Sequence, residues 1–152
     1  MTPLQIKRKY QKRILAILNS LRMALIEAGH DCEQPYDGSD DEFRWSMLVD
    51  CRDDGLGHHD GVDITFRICE SETYDGELGG VTFAVDVVEF GGRVLGGLCP
   101  YNYSDQVWTN RKDRAAVEER FAIFEQADPD DIVACVERSK SGQPAQTSGE
   151  AT

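Results

Sequence analysis

The chain has 152 residues, 40% of them hydrophobic and 29% charged, and its formal net charge at pH 7 is −12. This length and composition are typical of one soluble globular domain that can bury a sizeable core. No apolar run approaches the roughly 20 residues of a membrane span, and the N-terminus lacks the pattern of a signal peptide, so the sequence predicts neither.

The five cysteines stand far apart, and no two of them form a Cys-x-x-Cys pair. An odd number without close pairs argues against a zinc ribbon or a disulfide framework and favours reduced thiols. We therefore predict a cytoplasmic protein without a cofactor or a structural metal.

The first predicted element is an amphipathic helix over residues 4–29, which Gly29 ends. Its apolar residues recur at steps of three and four: Tyr10, Ile14, Ile17, Leu18, Leu21, Leu25 and Ile26. Residues 1–22 also hold six basic and no acidic residues, which leaves 10 basic against 28 acidic residues in the rest of the chain. The acidic remainder disfavours nucleic acid and anionic membranes as partners.

The basic residues of this helix predict a docking patch for an acidic protein partner. The patch consists of Lys7, Arg8, Lys9, Lys12 and Arg13. The alternative is that these residues are only the solvated face of a helix.

A polar connection is predicted over residues 30–42, followed by a meander of four antiparallel strands. Apolar residues alternate in the first three runs, over residues 43–51, 62–68 and 81–88, which predicts a sheet covered on one face. Gly91 and Gly92 are a turn signal, so residues 93–98 should pair back as the fourth strand.

Two helices complete the predicted fold, one over residues 111–126 with Val117, Phe121 and Phe124 buried, and a short one capped by Asp128 with Pro129 in its first turn. Residues 139–152 lack apolar surface and are predicted to be a disordered tail. The predicted fold class is α+β, with one domain over residues 1–138.

This order of elements resembles the ubiquitin-conjugating enzyme superfamily, and local features support the resemblance. Phe43-Arg44-Trp45 is similar to the opening of that family's second strand. Gly97-Leu98-Cys99 precedes Trp108 by nine residues, close to the spacing between the family's active-site cysteine and its tryptophan. Pro129-Asp130-Asp131 is similar to an element near the end of the family's next helix.

The resemblance implies that Cys99 accepts a ubiquitin-like modifier as a thioester and passes it to an amine. It also implies an activating enzyme that docks on the basic first helix. The family's His-Pro-Asn element would fall on Glu89-Phe90-Gly91, which has none of those residues. Asn102 is therefore the predicted hydrogen-bond donor to the oxyanion.

Two other interpretations remain open. His58, His59 and Asp60, with Asp53, Asp54 and Asp63, have side chains that suit a metal ion, but glycines around them favour a solvated hairpin loop. The chain is alternatively a non-catalytic acidic binding module, either a secretion chaperone or an inhibitor that mimics nucleic acid, with an unknown protein partner.

Overall fold

The computed structural model describes residues 3–39, 42–53, 55–56, 59–72, 78–98 and 114–141. Within these ranges the chain forms three helices and five strands. The helices are α1 (Pro3–Glu27), α2 (Arg114–Gln126) and α3 (Pro129–Ser141). The strands are β1 (Tyr36–Ser39), β2 (Glu42–Asp53), β3 (His59–Glu72), β4 (Leu78–Glu89) and β5 (Val94–Leu98). The predicted α+β class is confirmed.

The strands form one antiparallel sheet in the order β1-β2-β3-β4-β5, so each pairs with its neighbours in sequence. The prediction of four strands was wrong, because β1 lies in the segment that was predicted to be a connection. Its residues, Tyr-Asp-Gly-Ser, have the composition of a turn, but Tyr36 pairs with Ser46 and Asp37 with Trp45. A Cβ on Gly38 would lie 2.9 Å from the Arg44 side chain, so glycine makes room for that side chain across the strand.

α1 ends as Gly29 predicted, although the helix itself stops at Glu27 rather than at residue 29. The amide of Gly29 donates to the carbonyl of Ile26 at 3.0 Å, and the amide of His30 donates to that of Leu25 at 2.9 Å. With Gly29 at a φ of 96°, these two bonds form a Schellman motif. The motif turns the chain and places His30 against the end of the sheet.

All three helices contribute to one core on a single face of the sheet, as the alternating strands predicted. The buried side chains of α1 are Ile6, Tyr10, Ile14, Leu18, Leu21 and Leu25. The predicted stripe also included Ile26, which is 42% exposed because it lies on the other side of the helix. None of the described helices has the length and low charge needed to span a bilayer.

The predicted turn at Gly91 and Gly92 and the predicted helix cap at Asp128 are both confirmed. Gly91 and Gly92 have φ angles of 106° and 100°, and the amide of Gly92 donates to the carbonyl of Glu89 at 2.9 Å. Oδ1 of Asp128 accepts a hydrogen bond of 3.0 Å from the amide of Asp130 at the start of α3. Residues 111–113 of the predicted second helix lie outside the described residues.

α3 runs to Ser141, three residues beyond the predicted end of the domain. Residues 142–152 lie outside the described part of the chain, so the disordered tail stays a prediction.

Candidate functional site

A cavity of about 430 Å³ opens at one end of the sheet, beside α3. Its walls come from the ends of β2, β3 and β4, from the β4–β5 connection and from one side of α3. The lining residues are Asp50, Arg52, Asp60, Gly61, Val62, Glu89, Phe90, Arg93, Val136 and Ser139. Pockets of this volume are common sites for small ligands.

The cavity has a floor and a rim that differ in burial and charge. We define the floor as Asp50, Val62, Glu89 and Val136, and the rim as Arg52, Asp60 and Arg93. The carboxylate side chains of the floor are 16% exposed for Asp50 and 26% exposed for Glu89. All three rim residues are exposed, and the Arg93 side chain reaches 52%. The floor therefore holds the carboxylates of Asp50 and Glu89, and the rim holds both arginines and the carboxylate of Asp60.

Asp50 reaches the cavity through an irregularity in β2. The register of β2 against β3 shifts between Val49 and Arg52, and Asp50 has a φ of 52°. Aspartate is one of the few residues that accept this left-handed conformation, and a bulge of this kind redirects a side chain. The amide of Asp50 donates to the carbonyl of Asp31 at 2.8 Å, which fixes the irregular backbone.

The carboxylate of Asp50 is held by a buried histidine. His30 Nδ1 lies 2.6 Å from Oδ2 of Asp50, and His30 Nε2 lies 3.0 Å from Oε1 of Glu137 on α3. The His30 side chain is 1% exposed. His30 therefore joins the end of α1 to β2 and α3 through its two ring nitrogens.

Glu89 is held from the opposite wall. Ser139 Oγ on α3 donates to Oε2 of Glu89 at 2.6 Å, and Nη1 of Arg93 lies 3.9 Å from Oε1. Arg138 Nη1 donates to the carbonyl of Leu95 on β5 at 2.6 Å, which fixes α3 beside the sheet. The cavity walls are thus tied together by polar contacts on both sides.

Two members of the predicted basic patch are engaged within the fold. Nζ of Lys7 donates to Oδ1 of Asp37 at 2.9 Å and lies 5.4 Å from the centroid of the Trp45 ring, and its side chain is 5% exposed. This contact binds β1 to α1, so Lys7 faces the fold rather than solvent.

Arg13 binds two carboxylates of α2. Its Nη1 lies 2.7 Å from Oε1 of Glu118 and its Nη2 lies 2.6 Å from Oε1 of Glu125. The guanidinium also lies 4.7 Å from the centroid of the Phe121 ring. Partial burial alone would raise the pKa of Glu118, but hydrogen bonds from Tyr10 and Arg13 outweigh it and lower the pKa. Arg13 therefore connects α1 with α2.

The other three members of the patch, Arg8, Lys9 and Lys12, are exposed on α1. Nζ of Lys9 lies 5.4 Å from the centroid of the Tyr10 ring. Partner binding by the patch stays a prediction, and the exposed surface for it consists of these three residues.

The predicted catalytic residues Cys99 and Asn102 lie outside the described residues, as does Trp108. β5 carries the chain to Leu98, which pairs with Val85, while the cavity lies at the other end of β5 beside Arg93. At about 3.3 Å per residue, Val94 and Leu98 are roughly 13 Å apart. The predicted nucleophile follows the strand end that is remote from the cavity.

Two described cysteines have raised pKa values. Burial, more than nearby acidic groups, raises the pKa of half-buried Cys32 to about 11. Burial and the charges of Glu33, Asp63 and Asp50 raise the pKa of Cys51, although that side chain is exposed. A raised pKa leaves little thiolate at neutral pH, so both should react slowly.

The sequence also offered a metal site as an alternative. Two of its predicted ligands, Asp54 and His58, lie outside the described residues. Asp60 belongs to the cavity rim, and Asp63 lies on the opposite, open face of the sheet, hydrogen-bonded to Thr65. Within the described ranges there is no group of three or more potential ligands placed to hold a metal ion.

No family model, no curated protein and no solved structure matches this chain. The assignment of a site therefore depends on the geometry of the chain itself.

Sequence reasoning missed His30, Asp50, Glu89 and Glu137. His30 lies in the segment predicted to be a polar connection, and nothing in the local sequence distinguishes Asp50 from the other acidic residues. One signal was present: His30 follows Gly29 directly, so a helix C-cap would position it. The pairing with Glu137, 107 residues away, has no local signal.

Proposed function

We propose that this chain is a non-catalytic binding protein that holds a small charged ligand in the cavity at the end of the sheet. The observation that carries the proposal is the cavity itself, about 430 Å³ in volume and lined by five charged side chains, four from β2, β3 and β4 and one from the β4–β5 connection. Charged side chains converging on one concave site, rather than scattered over the surface, favour recognition of a polar ligand.

The lining favours binding over covalent chemistry. Among the described residues its lining has no cysteine, and the hydroxyl of Ser139 donates a hydrogen bond to the carboxylate of Glu89. The buried His30 is occupied on both ring nitrogens by carboxylates, so its contacts position Asp50 and do not activate a nucleophile.

A thermal-shift experiment tests the proposal with three small probes at millimolar concentration: ethylamine, acetate and the dipeptide Ala-Ala. A probe at ten times its Kd stabilises the folded state by about 1.4 kcal/mol. We expect at least one probe to raise the Tm of the wild type. Ser139→Phe, which places a ring in the cavity, should abolish the shift, while Glu119→Gln on the exposed face of α2 should retain it. The proposal is wrong if no probe stabilises the protein, or if Ser139→Phe responds like the wild type.

A second candidate function is that of a divergent ubiquitin-conjugating-like carrier. The order of elements favours it, since a helix and an antiparallel meander precede Cys99, and α2 and α3 follow. In that function the Cys99 thiolate attacks the thioester of an activating enzyme, forms a new thioester and releases the enzyme's thiol. Arg8, Lys9 and Lys12 provide an exposed basic surface on α1 for that enzyme.

The second candidate is tested by incubating the chain with an activating enzyme, its ubiquitin-like protein and ATP. A thiol-sensitive adduct that Cys99→Ser loses and Cys51→Ser retains would support the carrier function. Cys51 is the matched control because it is an exposed cysteine elsewhere in the fold. An adduct that survives in Cys99→Ser, or no adduct, counts against it.

A further inference from the structure

We propose that the ligand of this cavity is a small zwitterion, an amino acid or dipeptide, whose ammonium group lies on the floor at Glu89 and whose carboxylate lies at the rim arginines. This inference rests on the proposed function and names its ligand class. It follows from the two carboxylates on the floor and the two arginines at the rim.

The floor is suited to an ammonium group. Glu89 is largely buried and receives one close hydrogen bond, from Ser139, while Arg93 stands off at 3.9 Å. A carboxylate has about four acceptor positions, so Glu89 can accept further N–H donors. Asp50 is the second carboxylate of the floor, and it is held in position by His30 at Oδ2 and by the amide of Asp31 at Oδ1.

The rim is suited to a carboxylate. Arg52 lies in β2 and Arg93 in the β4–β5 connection, so the two side chains reach the cavity from different parts of the sheet. Arg93 is placed to bind the carboxylate of a ligand whose ammonium lies at Glu89, because its Nη1 is 3.9 Å from Oε1 of Glu89. A guanidinium binds a carboxylate through two parallel hydrogen bonds, which fixes the orientation of the ligand.

The charge balance and the size agree with this assignment. The lining holds three carboxylates and two guanidinium groups, so neither a simple anion nor a simple cation complements it fully. A ligand with one positive and one negative group can place each of them beside a side chain of opposite charge. A volume of about 430 Å³ accommodates an amino acid or a dipeptide.

Isothermal titration calorimetry at neutral pH tests the inference with three matched ligands. Ala-Ala carries both charges, Ala-Ala amide lacks the carboxylate, and N-acetyl-Ala-Ala lacks the ammonium. We expect Ala-Ala to bind, and each blocked form to bind at least tenfold more weakly.

Two variants assign the ends of the ligand. Glu89→Gln should weaken the binding of Ala-Ala about tenfold and leave N-acetyl-Ala-Ala unchanged, because the acetylated ligand has no charge at the floor. Arg93→Gln should also weaken the binding of Ala-Ala about tenfold, and it should leave the binding of Ala-Ala amide unchanged. Glu119→Gln, remote from the cavity, should bind like the wild type. Thermal denaturation of each variant confirms that it folds.

The outcomes separate this inference from the proposed function. If N-acetyl-Ala-Ala or Ala-Ala amide binds as tightly as Ala-Ala, the zwitterion is the wrong ligand class and the cavity is still a binding site. The same holds if none of the three binds while ethylamine or acetate raises the Tm. If no probe of any charge binds, the proposed function itself fails.

Discussion

At the scale of single residues, His30 is a buried polar side chain that connects three elements of the fold. Its ring is 1% exposed and lies between carboxylates of β2 and α3 at 2.6 and 3.0 Å. A buried charge is tolerated when it is paired, and removal of one partner exposes the cost of burying the other.

We therefore predict that His30→Ala lowers the free energy of unfolding by about 1–3 kcal/mol, because the largely buried carboxylate of Asp50 loses its imidazole hydrogen-bond partner. Glu137→Gln should have a smaller effect, since the Glu137 side chain is 48% exposed and can be solvated. Urea denaturation of both variants checks this. A His30→Ala protein as stable as the wild type would contradict the role given to the buried pair.

A second residue-scale prediction concerns Asp63 on the open face of the sheet, where it pairs in register with Leu48 and Val88. Burial raises the pKa of Asp63, and hydrogen bonds from Thr65 and Ser46 offset this only in part. The folded state therefore holds the proton to a higher pH than the unfolded state, so this group costs stability above its raised pKa.

Asp63→Asn should accordingly raise the Tm at pH 7, and the difference should shrink as the pH falls through the raised pKa and vanish below the unfolded value of 3.8. Thermal denaturation at pH 7 and at about pH 3 tests the sign. A variant that melts below the wild type at pH 7 would show that the hydrogen bonds of Asp63 outweigh its burial.

At the scale of elements, α1 is the part that connects the rest. One stripe of it fills the core against the sheet, while Lys7 binds β1 and Arg13 binds α2. The C-cap of the same helix delivers His30 to β2 and α3.

The core stripe predicts a clear contrast within this helix. Leu18→Ala should lower the free energy of unfolding by about 2–5 kcal/mol, because Leu18 is fully buried and its loss leaves a cavity. Ile26→Ala should change it by about 0.5 kcal/mol or less, since Ile26 is 42% exposed. Equal effects of the two substitutions in a urea titration would refute the orientation of α1.

The polar contact between α1 and α2 predicts a smaller effect. Arg13→Gln should lower the free energy of unfolding by about 1 kcal/mol, since it removes ion pairs with two half-exposed carboxylates and a cation–π contact. Lys12→Gln, at the exposed neighbour, should have no measurable effect. The lowered pKa of Glu118 also gives the direction of the pH dependence. The ion pair stabilises the folded state above that pKa, and this stabilisation is lost as the pH falls through it. An Arg13 effect that persists unchanged in acid would contradict the ion-pair account.

At the scale of the whole molecule, periodicity was enough to predict the helices, the β2–β5 meander and the face that is buried. Alternation at Trp45, Met47 and Val49 has a local cause, because successive side chains on a strand point to opposite faces. β1 was missed because its residues, Tyr-Asp-Gly-Ser, have the composition of a turn, and the ion pair that ties it to α1, Asp37 with Lys7, joins residues 30 positions apart.

The site was harder to predict than the fold for the same physical reason. The walls of the cavity join β2, β3, β4 and α3, and the decisive pairs, His30 with Glu137 and Glu89 with Ser139, are 107 and 50 residues apart. Local patterns carry no information on such pairs. The sequence patterns instead predicted Cys99 as the functional residue, and its reactivity stays a prediction.

The measurement that tests the central claim most directly is an amide NMR titration of the full chain with Ala-Ala. The account predicts that the largest shift changes fall on Gly61, Phe90, Arg93 and Ser139, at the mouth and walls of the cavity, and that Ser139→Phe removes them. Shift changes confined to the open face of the sheet, at Thr65 and Asp86, or no change at saturating ligand, would contradict it.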